Sequence, residues 1–238
     1  MLIFLDIETT GYEKEDKICS LGLLSFENDS CVSSQYELVN EGKKIPAAAS
    51  ALHNITNEMI KDKKSLCESE IYNYLLHENK QENTLVLHNA SFVLEKLQES
   101  GLIWHGTIID TLKVVKHTIQ ECEAFSLAFL RYELKLYKKE ESLKAVCGIK
   151  DALVAHHALS NALLIKLLFD YLKDELSEEM MEELSFKDVL LEKFPFGKYL
   201  GRYIEEIVLS DRTYVNWMLS LENLDDDLRY SIEYYLQG

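Results

Sequence analysis

Asp6 and Glu8 are the first residues in the chain whose types and spacing could do chemistry. They lie in the run Asp6-Ile7-Glu8-Thr9-Thr10-Gly11, directly after the apolar residues 2–5. Side chains in a strand alternate with period two, so the two carboxylates share a face. Two carboxylates side by side repel unless a cation lies between them. Hard oxygen ligands next to a phosphate are the requirement of Mg²⁺. The other reading of the pair is a strand end entering a turn, with two solvated acids. His88 and Asn89 form a second candidate group at the end of the short apolar run 85–87. They could contact a nucleotide or cap the next helix, and asparagine favours the cap.

These residues need elements to hold them. Residues 2–6, 18–26 and 31–39 read as three successive strands, with Gly22 inside the second and turn signals at Gly11-Tyr12 and Asn28-Asp29-Ser30. Short helices are expected in 46–60, and a helical period marks 67–77. Residues 85–87 and 107–110 read as short strands, each followed by a helix, the first over 90–99. Strong helical periodicity covers 125–136 and 153–172. Strands first, then alternating strand and helix, indicate an α/β fold with a mixed sheet.

FLDIETTG (4–11) resembles the first motif of the DEDDh 3′–5′ exonucleases, the family of the bacterial polymerase proofreading subunit. IPAAASALHNITNEMI (45–60), LVLHNASF (85–92), IIDTLKV (108–114) and HHALSNA (156–162) are similar to its later landmarks, in the same order. In the second of these strings Asn54 replaces the family's glycine. The resemblance implies a ribonuclease H-like sheet flanked by helices. It also implies two divalent metals on four carboxylates, which activate a water and stabilise an in-line displacement at a 3′-terminal phosphodiester. Asp6 and Glu8 match the first two carboxylates. His156 matches the family's general base on the last helix, five residues before the final ligand position. His157, about 100° further round such a helix, would point elsewhere. Thr9, Thr10 and Gly11 could offer backbone N–H groups to a terminal nucleotide, as in the family; the alternative is a simple turn at Gly11. His53 is expected to play a structural part at a helix end, and Phe92 and Phe125 to lie in the core.

The departures fall on the metal ligands. Where the second motif has aspartate the chain has Val93, which offers no lone pair. Where the third has aspartate it has Asn161, whose amide oxygen is a weak ligand. Two carboxylates are too few to hold two dications, since even unit like charges ~4 Å apart repel by several kcal/mol at an effective dielectric of ~20. The expectation is at most one Mg²⁺ or Mn²⁺, weakly bound by Asp6, Glu8 and Asn161, and hydrolysis that is weak or lost. The alternative is a non-catalytic module that binds nucleic-acid ends or a protein.

Residues 173–188 are acidic and helix-prone, which divides the chain into an exonuclease-like domain (1–173), an acidic helical linker (174–190) and a small α+β module (191–238). The tail PFGKYLGRYIEEIVLSDRTYVNWML (195–219) resembles the C-terminal module of exodeoxyribonuclease X-like exonucleases. Lys198 and Arg202, beside Gly197 and Gly201, could hold a phosphate; the alternative is a turn that needs positive φ at the glycines. Helices are expected near 211–221 and 225–236, with Tyr214 and Trp217 in the module's small core.

The 238 residues carry 25 Lys+Arg against 41 Asp+Glu, a net charge of −16. That excludes a DNA-binding domain with a basic face. Residues 173–238 hold 7 Lys+Arg and 16 Asp+Glu, which leaves 18 and 25 in residues 1–172. The acidity is thus concentrated behind the exonuclease-like part, where it suits a basic protein partner. The other expected partner is a DNA or RNA 3′ end. Five scattered cysteines without a C-x-x-C pair indicate a reduced, cytoplasmic setting with no zinc site. No apolar run reaches the length of a membrane span.

Overall fold

The computed structural model describes residues 1–119, 121–221 and 223–237. In chain order the elements are β1 Leu2–Thr9, β2 Ile18–Glu27, β3 Ser30–Leu38, α1 Ala47–His53, α2 Asn57–Ile60, α3 Glu70–His77, β4 Thr84–Leu87 and α4 Ala90–Glu99. Then come β5 Thr107–Asp110, α5 Thr111–Thr118, α6 Leu127–Glu133, α7 Glu140–Cys147, α8 Ala158–Lys173, α9 Glu178–Ser185, α10 Ile204–Ser210, α11 Arg212–Leu219 and α12 Asp226–Gln237. The five strands form one sheet in the order β3-β2-β1-β4-β5. β2 pairs antiparallel with both β1 and β3, while β4 pairs parallel with β1 and β5 with β4. This is the mixed α/β sheet of the ribonuclease H-like fold.

Period-two alternation sorts the strand residues onto two cores. Ile3, Leu5 and Ile7 of β1 pack with Leu85 and Leu87 against α3 and α4. Phe4 faces the other way, with Leu24, Phe26 and the apolar stripe of α8. Asp6 and Glu8 continue the Phe4 side, so they look towards the start of α8. That start is pressed onto the sheet at Gly22, the residue paired with Asp6 across β1 and β2. A β-carbon at Gly22 would collide with the backbone of Ala158 and Leu159. Glycine here permits the close approach that brings α8 over the two carboxylates.

Three expectations need correction. α8 begins at Ala158 and not near 153, because His156 takes a left-handed turn at φ 54°. The acidic stretch is no free linker: α9 sets Met181 into the main core and packs against β5 and α5. The tail is helical, with its β content among the described residues confined to one antiparallel bridge between Lys193 and Tyr203. The tail has its own core around Phe194, Ile207, Val215, Met218, Leu228 and Ile232.

Asp227 fastens α12 to the main sheet layer. It is 2% exposed and accepts from Lys113 Nζ, from Lys116 Nζ at 2.9 Å and from Val189 N at 2.9 Å. Burial raises its carboxyl, but the hydrogen bonds from Lys113, Val189 and Lys116 outweigh burial and hold it below the usual range. A depressed carboxyl contributes stability that is present above the unfolded value of ~3.9 and lost as pH falls through the folded one. Asp227→Asn strands two lysines and is expected to cost about 3 kcal/mol at pH 7. Urea unfolding of both proteins at pH 7 and pH 3 checks this: the gap should narrow in acid, and an equal gap at both pH values would count against it.

Candidate active site

The first turn of α8 delivers Asn161 to the carboxylates. Its Nδ2 donates to Asp6 Oδ2 at 3.0 Å and to Glu8 Oε1 at 3.3 Å. The amide therefore bridges the pair from the side where a cation would sit. Asp6 is half-buried and Glu8 is 8% exposed. Burial pushes the Asp6 carboxyl up to about 7, against hydrogen bonds from Asn161 and the Ile7 N–H. Glu8 rises to about 8, through burial first and the Asp6 charge second. Unfolded, both groups titrate near 4. The folded state keeps its protons longer, so the pair loses stability as pH rises from about 4 towards 8. Asp6→Asn should accordingly raise the melting temperature at pH 8, with the gain vanishing near pH 4. Thermal melts across that range test it, and a gain independent of pH would contradict it.

The walls of the cleft are fixed by backbone capping. Asp110, at the end of β5, is 5% exposed. Its carboxylate accepts from Asn89 N at 3.0 Å, Ala90 N at 2.9 Å and Leu112 N at 3.0 Å, so it caps both α4 and α5. Asn89 sits at the N-cap position of α4 with φ 73°, and its side chain caps nothing. Sequence reasoning gave Asn89 the cap and missed Asp110. The available signal was an Asp-Thr pair between a strand and a helical run, which is an N-cap pattern. His88 is held between Thr111 Oγ1 at 3.0 Å and the Phe125 carbonyl at 2.8 Å.

The loop after β1 is equally constrained. Thr9 Oγ1 donates to the Gly11 carbonyl at 2.6 Å, and Thr10 Oγ1 donates to Asp16 Oδ1 at 2.7 Å. The Thr10 N–H is taken by the Lys17 carbonyl at 2.9 Å. Lys96, also missed from sequence, is 2% exposed and donates to the carbonyls of Glu13 and Lys14, both at 2.9 Å. It pins this loop to α4. Asn54 ends α1 at φ 61°, the left-handed conformation that explains a glycine preference and that asparagine tolerates. His53, 5% exposed, accepts from Ile55 N on Nδ1 at 3.0 Å.

His156 lines the cleft beside Asp6 and Asn161, from the turn before α8 and not from the helix. His157 stacks on Tyr36, with ring centroids 4.0 Å apart. Val93 is 3% exposed and packs in the cluster with Ile7, Leu87 and Leu97. Phe92 and Phe125 are only half-buried, and each lines part of the cleft. Lys198 and Arg202 lie far along the chain on the helical tail. Lys198 pairs with Asp211 at 2.9 Å and Arg202 with Glu206 at 3.0 Å. Gly197 and Gly201 take φ 80° and 76°, as a tight turn requires. Tyr214 joins the tail's core, but Trp217 is 53% exposed.

This donor set does not fit a pair of divalent metals. Two carboxylates remain, Val93 supplies no ligand, and Asn161 turns its donor end to both acids. Among the described residues, no three His, Cys, Asp or Glu side chains converge closely enough to hold a metal ion.

An exonuclease family model, RNase_T, matches residues 3–159. Exodeoxyribonuclease 10 of Escherichia coli (strain K12) is 27% identical over 244 residues, covering 100% of both chains. A PolC-type DNA polymerase III of Caldanaerobacter subterraneus is 31% identical over 157 residues, 62% of this chain and 11% of that one. The chain thus spans about a tenth of the length of the PolC-type relatives it matches. Among solved structures, exonuclease X in complex with 5′-overhanging duplex DNA superposes with a TM-score of 0.61 at 24% identity, covering 78% of this chain and 99% of that one. The nuclease domain of 3′hExo, a DEDDh family member bound to rAMP, gives 0.53 at 12% identity, with 73% and 92% covered. At such identities the structural likeness bears on the fold alone. No helix among the described residues is long and apolar enough to cross a membrane.

Proposed function

Because the chain belongs to the exonuclease family whose model matches residues 3–159, we propose that it engages nucleic-acid 3′ ends in the Asp6–Asn161 cleft with hydrolysis weak or lost. The observation that carries this reading is the Asn161 amide, which donates to both Asp6 and Glu8. It takes the side from which a cation would approach. At most one Mg²⁺ or Mn²⁺ would bind here, weakly, through the two carboxylates. Asp6, Glu8 and His156 occupy the family's catalytic positions; Thr9, Thr10, Gly11, His88 and Asn89 surround the end of the strand. The cleft around them is open and of nucleotide size, about 520 Å³ on one side of Asp6 and about 580 Å³ on the other. The test is the binding of linear and circular single strands, DNA and RNA, in the presence of EDTA. Linear strands with a free 3′-OH should bind more tightly than circles of the same sequence. Equal binding of lines and circles, or none, sinks the reading.

A second reading concerns the tail. Lys198 and Arg202 are both exposed and pair on the tail's surface with Asp211 and Glu206. The acidic residues 173–238 favour a basic protein partner over a nucleic-acid backbone. The five free cysteines support a reduced, cytoplasmic setting.

A further inference from the structure

The cleft consists of two chambers that share a wall made by Asp6, Tyr12, His88, His156 and Asn161. Their charge differs. The first chamber is lined by four carboxylates, Asp6, Glu8, Glu13 and Asp16, and by no Lys or Arg among the described residues. In the second, Asp6 is the one carboxylate and Arg131 the one Lys or Arg among the described residues. A strand lying across the shared wall must place its charged phosphates on one side and its uncharged terminal nucleoside on the other. We propose that the strand enters through the second chamber and that Arg131 anchors a backbone phosphate on the 5′ side of the terminal nucleotide. This rests on the reading that the cleft holds a nucleic-acid end.

Arg131 is built for that task. It projects from α6 with 27% of its side chain exposed. Glu140, 6% exposed, fixes it from behind: Nε donates to Oε1 at 2.5 Å and Nη2 to Oε2 at 2.7 Å. Nη1 donates to Tyr132 Oη at 2.9 Å, and the guanidinium lies 5.1 Å from the Tyr132 ring centroid. A guanidinium carries five N–H donors in a rigid fork. Three are used, so one on each terminal nitrogen remains for a phosphate. Such a pre-oriented fork loses little freedom when it binds an oxyanion. Glu140 at the same time offsets the charge, so its neutralisation should strengthen the grip.

The experiment compares Glu140→Gln with the double variant Arg131→Gln/Glu140→Gln, so that no buried carboxylate is left unpaired in either protein. Binding of a 5′-fluorescein-labelled oligothymidylate of ~10 nucleotides is followed by anisotropy over a range of salt. Wild type is expected to bind, and Glu140→Gln to bind as tightly or more tightly. The double variant should be about tenfold weaker than Glu140→Gln, with a log–log salt slope shallower by ~0.7. Equal affinity and slope in the two variants, while wild type binds, overturns the role of Arg131 and leaves the end-binding reading standing. Absence of binding by wild type overturns both.

Discussion

Val93→Asp combined with Asn161→Asp is expected to yield a protein whose melting temperature depends steeply on Mg²⁺ or Mn²⁺ and which releases nucleotides from 3′ ends. Without metal the double variant should be much less stable than wild type. Asn161→Asp replaces an amide that donates to both carboxyl groups by a third acid, beside two that burial already holds well above the usual range. Like charges ~4 Å apart cost roughly 4 kcal/mol at an effective dielectric of ~20. Val93→Asp adds a carboxylate at a position 3% exposed, where an unpaired charge is costly. A cation reverses both penalties, because ligand that binds only the folded state stabilises it as concentration exceeds the dissociation constant. Hydrolysis should exceed the wild-type rate by on the order of 10³-fold or more, since groups that act as a unit recover together. Either single variant should recover little. A double variant that folds, yet shows neither a metal-dependent melt nor nucleotide release, would mean that more than two ligands separate this site from a working one.

Asp110→Ala is expected to be the most damaging single change to the fold. The carboxylate receives three backbone N–H groups, from Asn89, Ala90 and Leu112, and the residue's own N–H donates to Ser185 Oγ on α9 at 2.8 Å. The Ala90 donor is buried and those of Asn89 and Leu112 are half-buried; a donor left without a partner costs ~1–3 kcal/mol, least where water can reach it. The sum, roughly 4 kcal/mol or more, is a large part of an ordinary domain's stability of ~5–15 kcal/mol. Asp110→Asn keeps one oxygen acceptor and should lose about half as much. Urea unfolding of the three proteins tests the order. An alanine variant within ~1 kcal/mol of wild type would show that the caps carry little.

The parts of this molecule that could be read in its sequence are those governed by local pattern. The period-two run through Asp6 and Glu8, the short strands 84–87 and 107–110, and α4 over 90–99 lie where periodicity and turn residues put them. What escaped reading depended on contacts distant in the chain. His156 matches a motif in which the histidine rides on the helix, yet a left-handed turn carries it here. α9 reads as a linker because its glutamates mask Met181, which alone reaches the core fully buried. Lys96 carries no signal of its own in the sequence, because only the folded loop at Glu13 and Lys14 supplies its acceptors. In each case the deciding partner comes from another segment or from a turn of the chain that periodicity does not encode.

The proposed function is a cleft that holds a 3′ end, with hydrolysis disabled by Asn161 and Val93. The most direct measurement is a digestion of 5′-labelled single strands with wild-type protein in excess, in Mg²⁺ and separately in Mn²⁺, resolved to single nucleotides. Strands of unchanged length are expected, or a trace of shortening in Mn²⁺ alone, under conditions where anisotropy shows the same strands bound. A ladder of single-nucleotide steps in Mg²⁺ that Asp6→Ala abolishes would contradict it.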